Sequence, residues 1–368
     1  MRVLNKHDVK AIIYATALMG AGGGGSLAHG LFYLDTYAKD HEIAVKMISV
    51  DEMEEDVYAG VLAGMGSPVK FRESGTDFLV ESVTAYNGLK KVAAQMDRRL
   101  TSVYPIEYGA GNSFVPMIAA MESDDPFIDV DPCGRAVPAL NTTTFAIHGL
   151  ATAPNVMSNG KGDVVIAEPS DYYDAVGLEN LCRNVCVAFD MVMGISGWMV
   201  NKEQMKSFLV PGAYTKALKV GHVMLSAIEN NLDISTEISN VIECRELWRG
   251  KLVKHELSVE KGFDFGRAYY EGIGDYSGRQ FRIDYQNENL VAFEGEKALL
   301  TVPDLICTLN LDTGCPVTNA ELEEGQNILV LAMPAPETWN KLESGWTCWA
   351  PFLDTIGYQG KRVPYEML

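Results

Sequence analysis

The 368 residues have no cysteine framework, no metal-ligand spacing and no long apolar run. Seven cysteines, odd in number and irregularly placed, argue against a disulfide-stapled secreted scaffold and make a reducing compartment the default. No C-x-x-C, H-x-H or H-E-x-x-H occurs, so no metal site is read. Cys182 and Cys186, four apart, read as core residues of an apolar chain. No G-x-S-x-G elbow supports a serine hydrolase. No stretch of about 18 uncharged apolar residues is long enough to cross a membrane. The first residues, Met1-Arg2-Val3-Leu4-Asn5-Lys6, show no apolar signal region, so a cytoplasmic location is expected. Positive charge is also scarce. Thirty Lys and Arg stand against 49 Asp and Glu, for a formal net charge of -19 and a pI near 4.7. That balance argues against nucleic acid and anionic membranes as partners, while leaving room for a small anion in a local pocket.

Glycine is what the sequence concentrates. Met19-Gly20-Ala21-Gly22-Gly23-Gly24-Gly25-Ser26 separates two apolar, helix-like runs. Four consecutive glycines cost backbone entropy and make sense where the chain bends tightly or approaches something closely. Ser26 is a suitable N-cap for the run that follows, and a glycine loop feeding a helix N-terminus suits an anion. The run is neither G-x-G-x-x-G after a strand nor a P-loop, so a nucleotide-binding reading has little support. The plain alternative is a tight helix–helix turn.

In chain order, Asn5 caps a helix with Asp8 at its N3 position, and Val9, Ile12, Ile13, Thr16 and Ala17 keep helical spacing. Strands are expected over 43–50, 57–63, 103–107, 127–130 and 164–167, alternating with helices over 78–100 and 113–121. The pattern is that of a mostly parallel α/β sheet covered on both faces. In such sheets ligands sit beyond the carboxyl ends of the strands. Gly64 to Pro68, Glu107 to Asn112 and Asp129 to Arg135 are therefore expected on one rim. From Glu237 onward short strands dominate, as in a β-barrel or sandwich. The expected division is 1–168 for the α/β domain and 169–368 for a helical segment followed by barrel-like strands.

The carboxylates at the strand exits are the candidates for chemistry. Glu107 precedes a glycine loop. Asp129 and Asp131 are two apart and share a face on an extended segment. Crowded carboxylates raise one pKa toward neutrality, as acid–base work requires. Their plain role is turn chemistry. Arg135 suits either an ion pair with Asp129 or Asp131, or a bidentate grip on a substrate carboxylate. Asn112 suits a neutral hydrogen bond. Cys133, on the same loop, is an alternative nucleophile. Asn287-Glu288-Asn289 reads as a hairpin turn.

Met19–Ser26, Gly64-Met65-Gly66-Ser67-Pro68, Glu107–Asn112 and Asp129–Pro138 together resemble the family of S-methyl thiohydantoin desulfurase-like proteins. Tyr285–Leu290, Pro303–Ile306 and Glu324-Gly325-Gln326 resemble its C-terminal half. The resemblance implies a three-layer α/β domain, a β-barrel-containing second part, and work on a thiohydantoin or hydantoin-like ring. Two departures stand out: Ser26 and Ala139 occupy positions where relatives often carry acidic residues. The expectation is a hydrolase that desulfurises such a ring. Glu107 or Asp131 would be the base, Asn112 and Arg135 donors, and Gly22, Gly23, Gly24, Gly25 and Ser67 the cradle of an anionic heterocyclic substrate. The alternative is a binding or partner subunit of a hydantoinase. Cofactor use is left open, as is self-association.

Overall fold

The computed structural model describes residues 1–66, 77–260 and 263–368. In chain order the first elements are β1 (Arg2–Leu4), α1 (Lys6–Met19), α2 (Leu27–Tyr37), β2 (Val45–Ile48), β3 (Tyr58–Gly66), α3 (Asp77–Gln95) and β4 (Leu100–Tyr104). Then follow α4 (Ala110–Ser123), β5 (Phe127–Ile128), β6 (Val130–Asp131), α5 (Thr144–Ile147), β7 (Asn155–Ser158), β8 (Val164–Ala167), α6 (Ala175–Ala188) and β9 (Val192–Asn201). After these come α7 (Lys202–Phe208), β10 (Val210–Pro211), α8 (Ala213–Asn230) and α9 (Ile234–Ser239). The last third holds β11 (Arg245–Glu260), β12 (Phe263–Gly272), β13 (Gln280–Gln286), β14 (Glu288–Glu294), β15 (Lys297–Thr301), β16 (Leu305–Asn310) and β17 (Asn327–Met333). Short helices α10 (Ser344–Thr347) and α11 (Ala350–Thr355) close the chain.

The first sheet runs β1-β2-β5-β4-β3-β9-β7-β8. Its centre, β2-β5-β4-β3, is parallel, so Gly66, Tyr104 and Ile128 all leave the sheet at one edge. The outer strands are antiparallel, and β9, which follows Glu168 in the chain, pairs with both β3 and β7. One face is covered by α1 to α4 and α8, the other by α5 to α7. The expected α/β class holds. The second sheet, β15-β14-β13-β12-β11-β17-β16, is wholly antiparallel and curls into a half-barrel.

Local chemistry explains several boundaries. Asn5 accepts hydrogen bonds from the His7 and Asp8 amides, and Asp8 answers with a bond from the Asn5 amide, the capping box expected from sequence. Ser26 caps α2 through the His29 amide. The strand expected over 103–107 is β4, which ends at Tyr104, because Pro105 has no N–H to extend the ladder. The strand expected over 127–130 divides at Asp129: β5, Phe127–Ile128, stays in the main sheet, and β6, Val130–Asp131, forms a ribbon with β10. Pro116 lies within α4, beyond its first turn, and cannot donate to the Asn112 carbonyl.

The two sheets share one core. On β16 and β17, Leu305, Cys307, Leu309, Leu329, Leu331 and Met333 alternate toward α1 and its neighbours. Ile306, Ile328, Val330 and Ala332 turn into the curl of the half-barrel. Both faces of these strands are buried, which is why their sequences read as continuous apolar runs. No helix among the described residues is long and apolar enough to cross a membrane.

Arg135 locks the two parts together. Its side chain is 0% exposed. Nε donates to the Ala136 carbonyl at 3.0 Å, Nη1 to Pro303 O at 2.8 Å and Asp304 O at 3.1 Å, and Nη2 to Asn289 O at 3.3 Å. The guanidinium also sits 4.8 Å from the Trp349 ring centroid. Lysine keeps the charge but cannot span four carbonyls with a planar fork. Arg135→Lys is expected to lower unfolding free energy by about 2–4 kcal/mol, read as a lower denaturant midpoint at unchanged slope. An unchanged midpoint would show that the fork holds nothing.

Candidate active site

The edge where the parallel strands end is rimmed by half-buried backbone: Gly23 and Gly24 of the α1–α2 loop, Gly64 to Gly66 of β3, and Gly111-Asn112 at the start of α4. The glycines permit the close assembly. A Cβ on Gly109 would lie 1.9 Å from the Gly24 carbonyl oxygen, so the two loops meet backbone to backbone. The amide of Gly64 donates to Asn112 Oδ1 at 3.3 Å, tying β3 to α4.

Glu107 lies below this rim, at 9% exposure. Its Oε1 accepts from Asn112 Nδ2 at 2.9 Å, and Oε2 from the Val137 amide at 2.8 Å. Burial outweighs these bonds and pushes its pKa up to about 7. Asp131, fully buried, accepts through Oδ1 from the amides of Cys133 (2.9 Å) and Gly134 (2.5 Å). Its Oδ2 is buried with no hydrogen-bond partner. Burial, with the charge of Glu107 adding to it, pushes Asp131 up to about 8. Two carboxyl groups thus feel each other at one sheet edge, both titrating near neutrality.

The other expected site residues are distributed unevenly. Asn112 is in place against Glu107. Gly22 to Gly25 stand on the rim, with Gly23 facing the carboxyl group of Glu288. Asp129 is spent on structure: Oδ1 accepts from the amides of Tyr214 (2.7 Å) and Thr215 (3.0 Å), and Oδ2 from Thr215 Oγ1 at 2.5 Å. It caps α8, where a carboxylate complements the helix dipole, instead of facing Glu107. Arg135 gives its nitrogens to carbonyls rather than to Asp129 or Asp131. Cys133 is buried, and burial raises its pKa well above the ordinary thiol value, which keeps it protonated and a poor nucleophile. Ser67 lies outside the described residues. Among those residues no group of three His, Cys, Asp or Glu side chains is placed to hold a metal ion.

Two surface hollows, of about 460 and 440 Å³, lie elsewhere, between α3 and β8 and around Tyr172-Tyr173. Neither borders Glu107 or Asp131. Buried carboxyl groups with raised pKa values make the strand exits the candidate site.

Residues 7–169 match the N-terminal domain of the S-Me-THD-like proteins, and residues 173–361 match their C-terminal domain. The chain belongs to the S-Me-THD-like family. This agrees with the resemblance read from the glycine loops and strand exits. Among curated proteins none matches the sequence significantly. A crystal structure of a protein from Chromobacterium violaceum has the same fold, with a TM-score of 0.85 over 99% of this chain and 100% of that one, at 22% identity.

In this S-Me-THD-like chain the residue that sequence reasoning passed over is Glu288. Read as part of a hairpin turn, it is 3% exposed, and its carboxyl group occupies the space a Cβ on Gly23 would need, with Oε1 2.0 Å from that position. Burial, with the charge of Glu107 adding to it, holds its pKa well above the usual carboxylate range. A glutamate between two asparagines, inside apolar strands, was the available signal.

The raised pKa values make stability depend on pH. Unfolded carboxyl groups titrate near 4, whereas Glu107 and Asp131 hold their protons to about 7 and about 8. Between those limits the folded form binds more protons, so the stabilisation is complete below about pH 4 and is lost as pH rises through 7 and 8. Unfolding free energy is expected to fall by about 1.4 kcal/mol per pH unit for each such group across this window. Asp131→Asn should flatten the slope in denaturant titrations between pH 5 and 8.5. An equal slope in the variant would contradict the assignment.

Proposed function

We propose that the protein is a hydrolase that removes sulfur from a five-membered thiohydantoin-type ring. The family description supports the substrate class. The observation that carries the reaction is the pair of buried carboxyl groups, Glu107 and Asp131, with pKa values pushed to about 7 and about 8. A group near 7 is ionised often enough to act as a base, and one near 8 is protonated often enough to act as an acid.

For an S-alkylated ring the chemistry balances with these two groups and one water. Water oxygen bonds to the ring carbon between the nitrogens, and the C=N electron pair moves onto nitrogen. Glu107 takes the water proton and passes it to that nitrogen. The C–S bond then breaks, and Asp131 donates its proton to the departing sulfur, which leaves as a thiol. The remaining hydroxyl proton returns to Asp131 as the carbonyl forms. Both carboxyl groups end as they began. Asn112 holds Glu107 by its side-chain amide and fixes the direction of the base.

The test is thiol release from S-methyl thiohydantoin by the purified protein. Glu107→Gln keeps the shape but cannot accept a proton, so kcat should fall by about 10²–10⁴-fold with KM little changed. Binding of the ring without turnover by the wild-type protein would instead support a binding subunit.

A further inference from the structure

We propose that Glu288 and Asn289, delivered by the second domain, are the substrate-gripping residues of this site, and that they select a ring with N–H donors, neutral or cationic, over an anion. The proposal rests on the placement of the reaction at Glu107 and Asp131 and goes beyond it by naming what the ligand must present.

The first support is how firmly the second domain reaches into the first. Asn287, between β13 and β14, has a left-handed backbone, φ 55°. Its amide donates to Asp264 O at 2.7 Å, its Oδ1 accepts from the Asp264 amide at 2.9 Å, and its carbonyl accepts from Asn319 Nδ2 at 2.8 Å. The turn is therefore fixed. The Asn289 amide then donates to Ala21 O at 2.8 Å, and the Asn319 amide to Gly22 O at 3.0 Å. These bonds dock the glycine loop on the half-barrel and set Glu288 against Gly23, Asn289 against Gly22.

The second support is an excess of acceptors. Glu288 Oε2 and Asn289 Oδ1 are each buried without a partner. Glu107 lies near enough to Asp131 and to Glu288 for its charge to act on both. Buried polar atoms are nearly always paired, so orphaned oxygens on two adjacent residues against the glycine loop are open to donors.

The third is the absence of a counter-charge for an anion. Every nitrogen of Arg135 already donates to a carbonyl, and Asn112 Nδ2 is held by Glu107. An anionic ligand would meet three carboxyl groups and no uncommitted cation on these residues. A lactam or amidine edge, by contrast, gives N–H to Glu288 while the acid's other oxygen pairs with the adjoining ring atom. On this proposal the glycine loop faces Glu288 and a neutral or cationic ring rather than an anion.

The experiment is calorimetric binding with three probes: S-methyl thiohydantoin with free ring N–H, its N-methylated form, and the ring-opened carboxylate. Creatinine, a cyclic guanidine with no sulfur to lose, serves as a fourth. The N–H ring should bind at least about 10–100-fold more tightly than its N-methylated form, because methylation leaves buried acceptors unpaired. The carboxylate should not bind. Glu288→Gln should raise KM and reduce the N–H preference, with Asn289→Ala as a second variant. Because the selectivity is measured on wild-type protein, it stands even if a variant does not fold. Equal binding of the N-methylated ring, tighter binding of the carboxylate, or no binding of any N–H ring would overturn the proposal. Binding of creatinine and the N–H ring without thiol release would overturn the desulfurisation reading and leave this one intact. Thiol release with no N–H preference would do the reverse.

Discussion

The guanidinium of Arg135 is the contact on which the arrangement depends. A charge with no exposed surface is expensive unless its donors are satisfied. Here carbonyls do this work, and those of Asn289, Pro303 and Asp304 come from the second domain. The loop that begins at Asp131 in the first domain is thereby tied to the strand that carries Glu288. Trp339 reinforces the seam by donating from Nε1 to Cys133 O at 2.7 Å, and Trp349 stacks beneath the cation. The buried carboxyl groups come from both parts of the chain, and one side chain bonds across the seam between them.

That cation also tempers the acids around it. Glu107, Asp131 and Glu288 are all buried, and burial dominates their titration. Arg135 draws Glu107 and Glu288 back toward ionisation without pairing with either. A direct ion pair would have pinned these carboxylates as anions, useless for moving protons near neutral pH. With the guanidinium committed to carbonyls, Glu107 and Asp131 stay near neutrality, at about 7 and about 8.

Much of this was legible in the sequence where local chemistry decides the outcome. Asn5 with Asp8, Ser26 before an apolar run, and the alternation of strands and helices are short-range signals, and the structure follows them. The strand exits gathered Glu107, Asn112 and Asp131 because parallel strands end on one edge. Other assignments needed partners remote in sequence. Asp129 looks like Asp131 until α8 arrives, 85 residues later, to claim it as a cap. Arg135 looks like an ion-pair former until a strand and a turn 154 to 169 residues away present their carbonyls. Glu288 reads as a turn residue until the glycine loop closes over it. Periodicity locates elements, but it does not say which buried group meets which across a domain seam.

Burial lets the carboxyl groups of Glu107 and Asp131 keep their protons into the neutral range. The most direct measurement is a carboxyl-carbon NMR titration of protein labelled at Asp and Glu, with Glu107→Gln and Asp131→Asn used to assign the signals. The account predicts two resonances, lost one in each variant, that titrate near pH 7 and 8 while exposed carboxylates titrate near 4. Titration of both groups below about pH 5 would contradict it.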